Sequence, residues 1–214
     1  MLKLIIGNKN YSSWSMRAWM LLKFAELPFS EICIDLYTAG SRKRVLDLGG
    51  ETGLVPVLVV DDRAIWDTLA ITEFVYELRP HIWPSDAFER AKARSYAGEV
   101  HSGLTAVRAS MPCNTRARER VVEMSEEVEL EIARVAEIWS RASGDWLFGD
   151  FSAADVMFAP VAARFRTYGV ALKDGRAVSY WERLIAHPLC TEWFALGEAE
   201  PVIIEQFELP RRIK

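Results

Sequence analysis

The chain has 214 residues, half of them hydrophobic and 26% charged, with a net charge of −4 and a pI near 5.5. That is enough chain for one large domain or two small ones, and it lacks the Lys/Arg concentration that phosphate neutralisation by a nucleic-acid binder requires. No apolar run approaches the length of a membrane span, and the early segment MLKLIIGNKN has too short an apolar stretch for a secretory leader.

Cys33, Cys113 and Cys190 are scattered and odd in number, so no disulfide framework is implied and a cytoplasmic location is expected. His81, His101 and His187 have no ligand spacing, and no metal site is expected.

In chain order, LKLII (2–6) reads as a short strand and SMRAWMLLKFAE (15–26) as a helix with apolar residues at helical spacing. FSEICIDL (29–36) alternates like a strand, and RKRVLDLG (42–49) reads as a short helix ended by Gly49 and Gly50. In VPVLVVDDRAIWD two β-rich runs flank Asp61–Asp62, the signature of a two-residue hairpin. DTLAITEFVYELRP (67–80) is then a helix with Asp67 at its start and Pro80 past its end. Beyond Pro80 the strand pattern disappears. Two long Glu/Arg/Ala-rich segments, 89–110 and 118–143, carry apolar residues three and four apart. A linker at 79–86 therefore separates an α/β domain (1–80) from an all-helical one (86–214). The terminal run RRIK (211–214) reads as a solvated tail.

Three features carry chemistry. YSSWS (11–15) places Ser12, Ser13 and Ser15 where a helix begins, although a helix needs only one capping hydroxyl. A second hydroxyl there is free to face a ligand at the carboxyl end of a strand. Val55–Pro56 stands just before a strand, where proline is tolerated, and a cis bond would turn the Val55 peptide groups outward. Asp67–Thr68 puts an acid and a hydroxyl at a helix N-terminus, an ordinary cap when taken alone. In the second half, FSAADVMFAPV (151–161) reads as a capping box in which Ser152 caps and Asp155 reaches back.

Together, YSSWSMR, GLVPVLVVDD and IWDTLAITEFVYE resemble the thioredoxin-like domain of cytosolic glutathione transferases, and FSAADVMFAPV resembles the capping box of their helical domain. SSWS is similar to the serine motif of the zeta class, with Trp14 where that class has Cys. The resemblance implies an α/β thioredoxin-like N-terminal domain, an all-α C-terminal domain, a homodimer, and glutathione as co-substrate.

It also implies roles. Ser12, or failing it Ser13, would hold the thiolate. Leu54, Val55 and Pro56 would meet the cysteinyl part, and Asp67 and Thr68 the γ-glutamyl end. Trp14, Val107, Arg108, Met111 and Pro112 would wall the second-substrate pocket, with Arg108 the partner of an acidic substrate. Arg17 is expected to hold an interdomain carboxylate or to lie on the surface.

A thiol of pKa about 8.5 is only about 3% ionised at pH 7, and lowering that pKa by about two units needs roughly 2.7 kcal/mol. One hydroxyl donating to an anion contributes about 1.5–3 kcal/mol, and a helix N-terminus about 0.3–1 kcal/mol. One serine is energetically sufficient. Three activities fit these residues: conjugation of glutathione to a small electrophile, glutathione-dependent cis–trans isomerisation of the maleylacetoacetate type, and non-catalytic binding on a transferase fold.

Overall fold

A computed structural model describes residues 1–211. Of the terminal basic run, Arg211 is exposed and pairs with Glu119 at 3.0 Å, and 212–214 lie outside the described residues.

The first half alternates as its periodicities require: β1 (Leu2–Gly7), α1 (Ser13–Phe24), β2 (Phe29–Ile34), α2 (Ser41–Asp47), β3 (Val57–Val60), β4 (Arg63–Ile65) and α3 (Thr68–Leu78). The sheet order is β2-β1-β3-β4, with β1 parallel to β2 and antiparallel to β3. β1 needs the α1 crossover to reach a parallel neighbour, whereas β3 and β4 close through Asp61–Asp62. Both turn residues have positive φ, +46° and +65°, as a two-residue hairpin of matching twist demands. Successive side chains of β1 take opposite faces: Leu4 and Ile6 enter the main core, and Ile5 joins Ile34, Val45, Val57 and Val59 beneath α2.

The second half is helical: α4 (Ala87–Ser102), α5 (Thr105–Ser110), α6 (Glu126–Ser140), α7 (Ala153–Tyr168), α8 (Gly175–Ala186) and α9 (Pro188–Ala199). Helices shorter than the sequence periodicity suggests replace the two long segments. Leu104, at φ +56°, ends the first one after Gly103, and Arg108 folds back so that Nε donates to the Gly103 carbonyl at 3.0 Å. The second does not begin at 118 but at Ser125, whose hydroxyl caps α6 ahead of three acidic first-turn residues. Residues 112–125 instead run irregularly and are tied down by bonds such as Thr115 N–H to the Asn10 carbonyl, 3.0 Å, and Arg120 N–H to the Thr167 carbonyl, 3.1 Å.

α7 is the central post. Ser152 and Asp155 form the expected capping box, and nearly every α7 residue is buried. Met16, Trp19 and Met20 of α1 pack in the same continuous core as Val156, Phe158 and Phe165 of α7 and Trp193 of α9. The α/β and helical halves thus share one core.

Candidate active site at the start of the first helix

The loop between β1 and α1 is fixed before any ligand arrives. Asn8 accepts the Tyr11 and Ser12 amides on its carbonyl, at 3.1 and 2.8 Å. The Glu200 carboxylate takes the amides of Lys9 and Asn10, at 2.6 and 3.0 Å. The Asn10 side chain accepts Arg116 N–H at 2.8 Å, and Tyr11 OH donates to Glu208 at 2.7 Å. α9 approaches this loop so closely that a Cβ on Gly197 would stand 3.2 Å from the Asn10 backbone and 2.7 Å from Thr115 Oγ1.

Ser12 is the N-cap of α1, accepting Ser15 N–H at 3.3 Å. Its Oγ lies 2.7 Å from Ser15 Oγ, which in turn accepts the Gly7 amide at 3.0 Å. Ser13 opens the helix, and its Oγ accepts Arg164 Nη2 at 3.2 Å. All three serines are buried, and each has a different task.

Ser12 and Ser13 line a cavity of about 480 Å³ together with Trp14, Leu54, Val55, Arg108 and Pro112. These seven residues, drawn from three separate stretches of the sequence, line one cavity. Val55–Pro56 is cis, and no described residue hydrogen-bonds to the Val55 N–H or C=O. Pro56 itself is buried beside the wall.

Val107 and Met111 do not face the cavity. Both are buried in the core, because short α5 turns its apolar side toward the other helices. Asp67 and Thr68 also stand off the wall. Asp67 caps α3 through Oδ1, taking Leu69 N–H at 2.9 Å, and its Oδ2 lies 3.1 Å from His101 Nε2. Thr68 Oγ1 meets His101 Nδ1 at 3.2 Å. A single neutral tautomer satisfies both contacts: Nε2–H donates to Asp67 and Nδ1 accepts from Thr68. Burial lowers the His101 pKa even with Asp67 so close, and Arg17 and Arg108 push the same way.

Trp14 meets two cations, the guanidinium carbons of Arg17 and Arg108 each 4.6 Å from its ring centre, with the His101 ring edge-on at 5.0 Å. Arg17 holds no carboxylate, contrary to the expectation for it, and it is buried rather than superficial. Its Nε donates to the Met157 carbonyl at 3.0 Å, because α7 presents backbone and not acid at that point.

The thiols are poor nucleophiles. Burial raises the Cys113 thiol in the cavity wall, and Cys33, although exposed, is pushed up to about 11 by partial desolvation, then by Glu200. Among the described residues no group of three or more His, Cys, Asp or Glu stands together as a metal centre, and no helix is long and apolar enough to cross a membrane.

Residues 11–78 match the N-terminal domain of glutathione S-transferases, and residues 106–196 match their C-terminal domain. The chain belongs to the glutathione S-transferase family. Glutathione S-transferase U8 of Arabidopsis thaliana is 30% identical over 165 residues, 75% of this chain and 69% of that protein. A probable maleylacetoacetate isomerase of Caenorhabditis elegans is 30% identical over 94 residues, and that match spans 43% of this chain and 42% of the relative's length. Among solved structures, a glutathione transferase homolog from Burkholderia, determined with bound glutathione, superposes with a TM-score of 0.70 at 22% identity, covering 93% of this chain and 99% of that one.

Within this transferase architecture the sequence reading missed Tyr11, Arg164 and Phe207, which also line the cavity. Arg164 had a signal: a basic residue inside the apolar helix that the capping box opens. Phe207 had none, because it reaches the site only through the return of the chain after α9.

Proposed function

We propose that the protein is a glutathione transferase that joins the glutathione thiolate to an electrophilic small molecule in the cytoplasm. The observation that carries this reading is the pair of hydroxyls, Ser12 and Ser13, that line the cavity at the start of α1, beside the unbonded peptide groups of Val55.

Hydroxyls rotate. When a sulfur arrives, the Ser12 O–H turns from Ser15 to the thiolate, and Ser15 donates to Ser12 Oγ while still accepting the Gly7 amide. The donor at sulfur is then backed by a backbone dipole. Ser13 is polarised separately by Arg164, and its own hydrogen is free for the same sulfur.

The Val55 peptide groups pair with the cysteinyl part of glutathione, flanked by Leu54 and Pro56. Asp67, its side chain about half exposed, meets the γ-glutamyl ammonium, and the carboxylate beside it takes the free N–H groups at the start of α3. Thr68 contributes its amide there, since its hydroxyl is engaged by His101.

A second reading, addition and later loss of the same thiolate to isomerise a double bond, is supported by the likeness to maleylacetoacetate isomerases over part of the chain. Trp14 in the position of the zeta cysteine weighs against it.

Calorimetry with glutathione, followed by a panel of electrophiles and of cis–trans isomer pairs on one preparation, tests both. Binding with conjugation of an aryl halide is expected. No binding at millimolar glutathione by the folded protein would leave only the non-catalytic reading.

A further inference from the structure

Arg108 and Arg164 line the cavity, Arg17 lies against the cavity-lining Trp14 and senses both of their charges, and none of the three takes part in an ion pair among the described residues. Arg17 is 1% exposed, and both of its terminal nitrogens are buried without a partner. Arg164, 6% exposed, donates only to the carbonyls of Met111 and Pro160 and to Ser13 Oγ, at 2.8, 3.2 and 3.2 Å. Arg108 donates through Nε and Nη2 to the carbonyls that end α4, and its Nη1 has no protein acceptor. Arginines elsewhere, such as Arg94, Arg120 and Arg134, do hold carboxylates.

The nearby acids are committed elsewhere. Glu131 takes the amides of Ala106 and Val107, at 3.2 and 2.7 Å, and Asp67 faces His101. Burying like charges together without a counter-charge is unfavourable unless something anionic completes the site. Burial and the Arg164 charge push Arg108 down to about 10 against the opposing charge of Glu131, and Arg17, desolvated and near both arginines, is also lowered.

We propose that this cluster seats the acceptor and that the acceptor is an anion: a carboxylate-bearing electrophile held by Arg108 and Arg164 beside Ser13. Arg17, 4.6 Å from the Trp14 ring centre and outside the cavity lining, contributes charge only. The inference rests on the transferase reading for its chemistry, but the anion seat itself can be measured without turnover. Glutathione also carries carboxylates, so the experiment must separate the two sources.

A chloronitrobenzoate and its methyl ester make the comparison. In both, the thiolate sulfur forms a C–S bond at the carbon bearing chlorine, and chloride leaves with the electron pair of the broken C–Cl bond. The ester is the more activated electrophile in solution, so a preference for the acid has to come from the protein.

With each kcat/KM divided by its uncatalysed rate, the acid is expected to exceed the ester by about tenfold or more, the size of one charge-assisted hydrogen bond. Arg108→Gln should bring that ratio to near one while the glutathione Kd from calorimetry stays put. Equal handling of acid and ester by the wild type overturns the proposal. So does an Arg108→Gln variant that weakens glutathione and keeps the ratio, which would assign the arginines to glutathione itself.

If neither compound is turned over, the transferase reading is left to glutathione binding and the wider electrophile panel, and the seat is judged by direct binding. Acid bound more tightly than ester, with the difference lost in Arg108→Gln, upholds it, and equal binding overturns it. Because Arg108 also closes the end of α4, Arg17→Met provides a variant that keeps the fold. It should melt higher than wild type and show a reduced acid preference. A higher melting temperature with an unchanged preference removes Arg17 from the seat.

Discussion

Ser12 Oγ and Ser15 Oγ lie 2.7 Å apart, one turn of α1 joining the hydroxyl that lines the cavity to a hydroxyl with no access to it. Ser15 is held from the far side by the last amide of β1. In the proposed function the cap of the helix and the donor to sulfur are the same atom, supported by a neighbour outside the cavity lining.

Ser12→Ala should raise the pKa of bound glutathione and leave its affinity near pH 7 nearly unchanged, since most binding contacts go to the peptide arms. A loss of about 1.5–3 kcal/mol at sulfur lowers the thiolate-limited rate roughly ten- to a hundredfold. Losing the cap costs about 1 kcal/mol of stability besides. Thiolate absorbance against pH, measured beside a melting curve, separates the two effects. An unmoved thiol pKa would transfer the role to Ser13.

Ser15→Ala should move the same thiol pKa upward by less than Ser12→Ala does. Ser15→Thr, which keeps the hydroxyl, should restore it. A Ser15→Ala protein that melts lower but keeps its pH–rate profile would reduce Ser15 to packing.

Asp155 receives four donors: the amides of Leu147 and Ser152, the Ser152 hydroxyl and Tyr180 OH. Burial pushes its carboxyl up to about 6, so at pH 7 it is ionised and accepts from all of them. Asp155→Ala strands buried donors at about 1–3 kcal/mol each. We expect a loss of about 3 kcal/mol or more, read as a fall in Tm of about 6–12 °C.

Acid should weaken the fold from near neutrality. Burial lowers both His101 and His187, the latter stacked on Phe151 at 3.9 Å and accepting Leu189 N–H on Nδ1 at 3.2 Å. The unfolded rings take their protons near pH 6.5, the folded ones only at lower pH. The stability that depends on neutral rings is thus whole above that value and is lost as pH falls through and below it. Tm measured from pH 8 to 5 should drop on the acid side, and His187→Gln should flatten part of the slope. A flat wild-type profile over that interval would refute the assignment.

A homodimer is expected across α3 and α4, where Leu78 and Phe88 expose apolar surface, Phe88 to 76%. Light scattering at micromolar concentration should give twice the chain mass, and Phe88→Asp should shift it toward the monomer. A monomeric wild type would count against this surface.

The βαβ-ββα order of the first half was legible because its periods of two and 3.6 are short-range, as was the hairpin at Asp61–Asp62. The capping box of α7 was legible for the same reason. The breaks at Leu104 and before Ser125 were not. A left-handed residue and an irregular stretch fixed by distant partners such as Asn10, Thr167 and Pro210 leave no periodic trace. The site followed the same rule: Ser12, Ser13 and Val55 announced themselves locally, whereas Val107 and Met111 were misplaced because helical spacing gives a face and not what that face meets. Nothing in the sequence around Arg17 shows that its neighbours in space are two more arginines.

The carboxylate of Glu200 that grips the Lys9 and Asn10 amides sets an order on synthesis. As the polypeptide leaves the ribosome, β1 and the serine loop emerge before the acid that fixes that loop, which follows some 190 residues later. Trp193, which packs against Trp19, is similarly late. An emerging N-terminal half therefore has its strands and its serines but not their anchorage. A chain cut anywhere before Glu200 carries the cavity-lining serines in a loop without this carboxylate clamp, so the order of the loop is a property of both halves together.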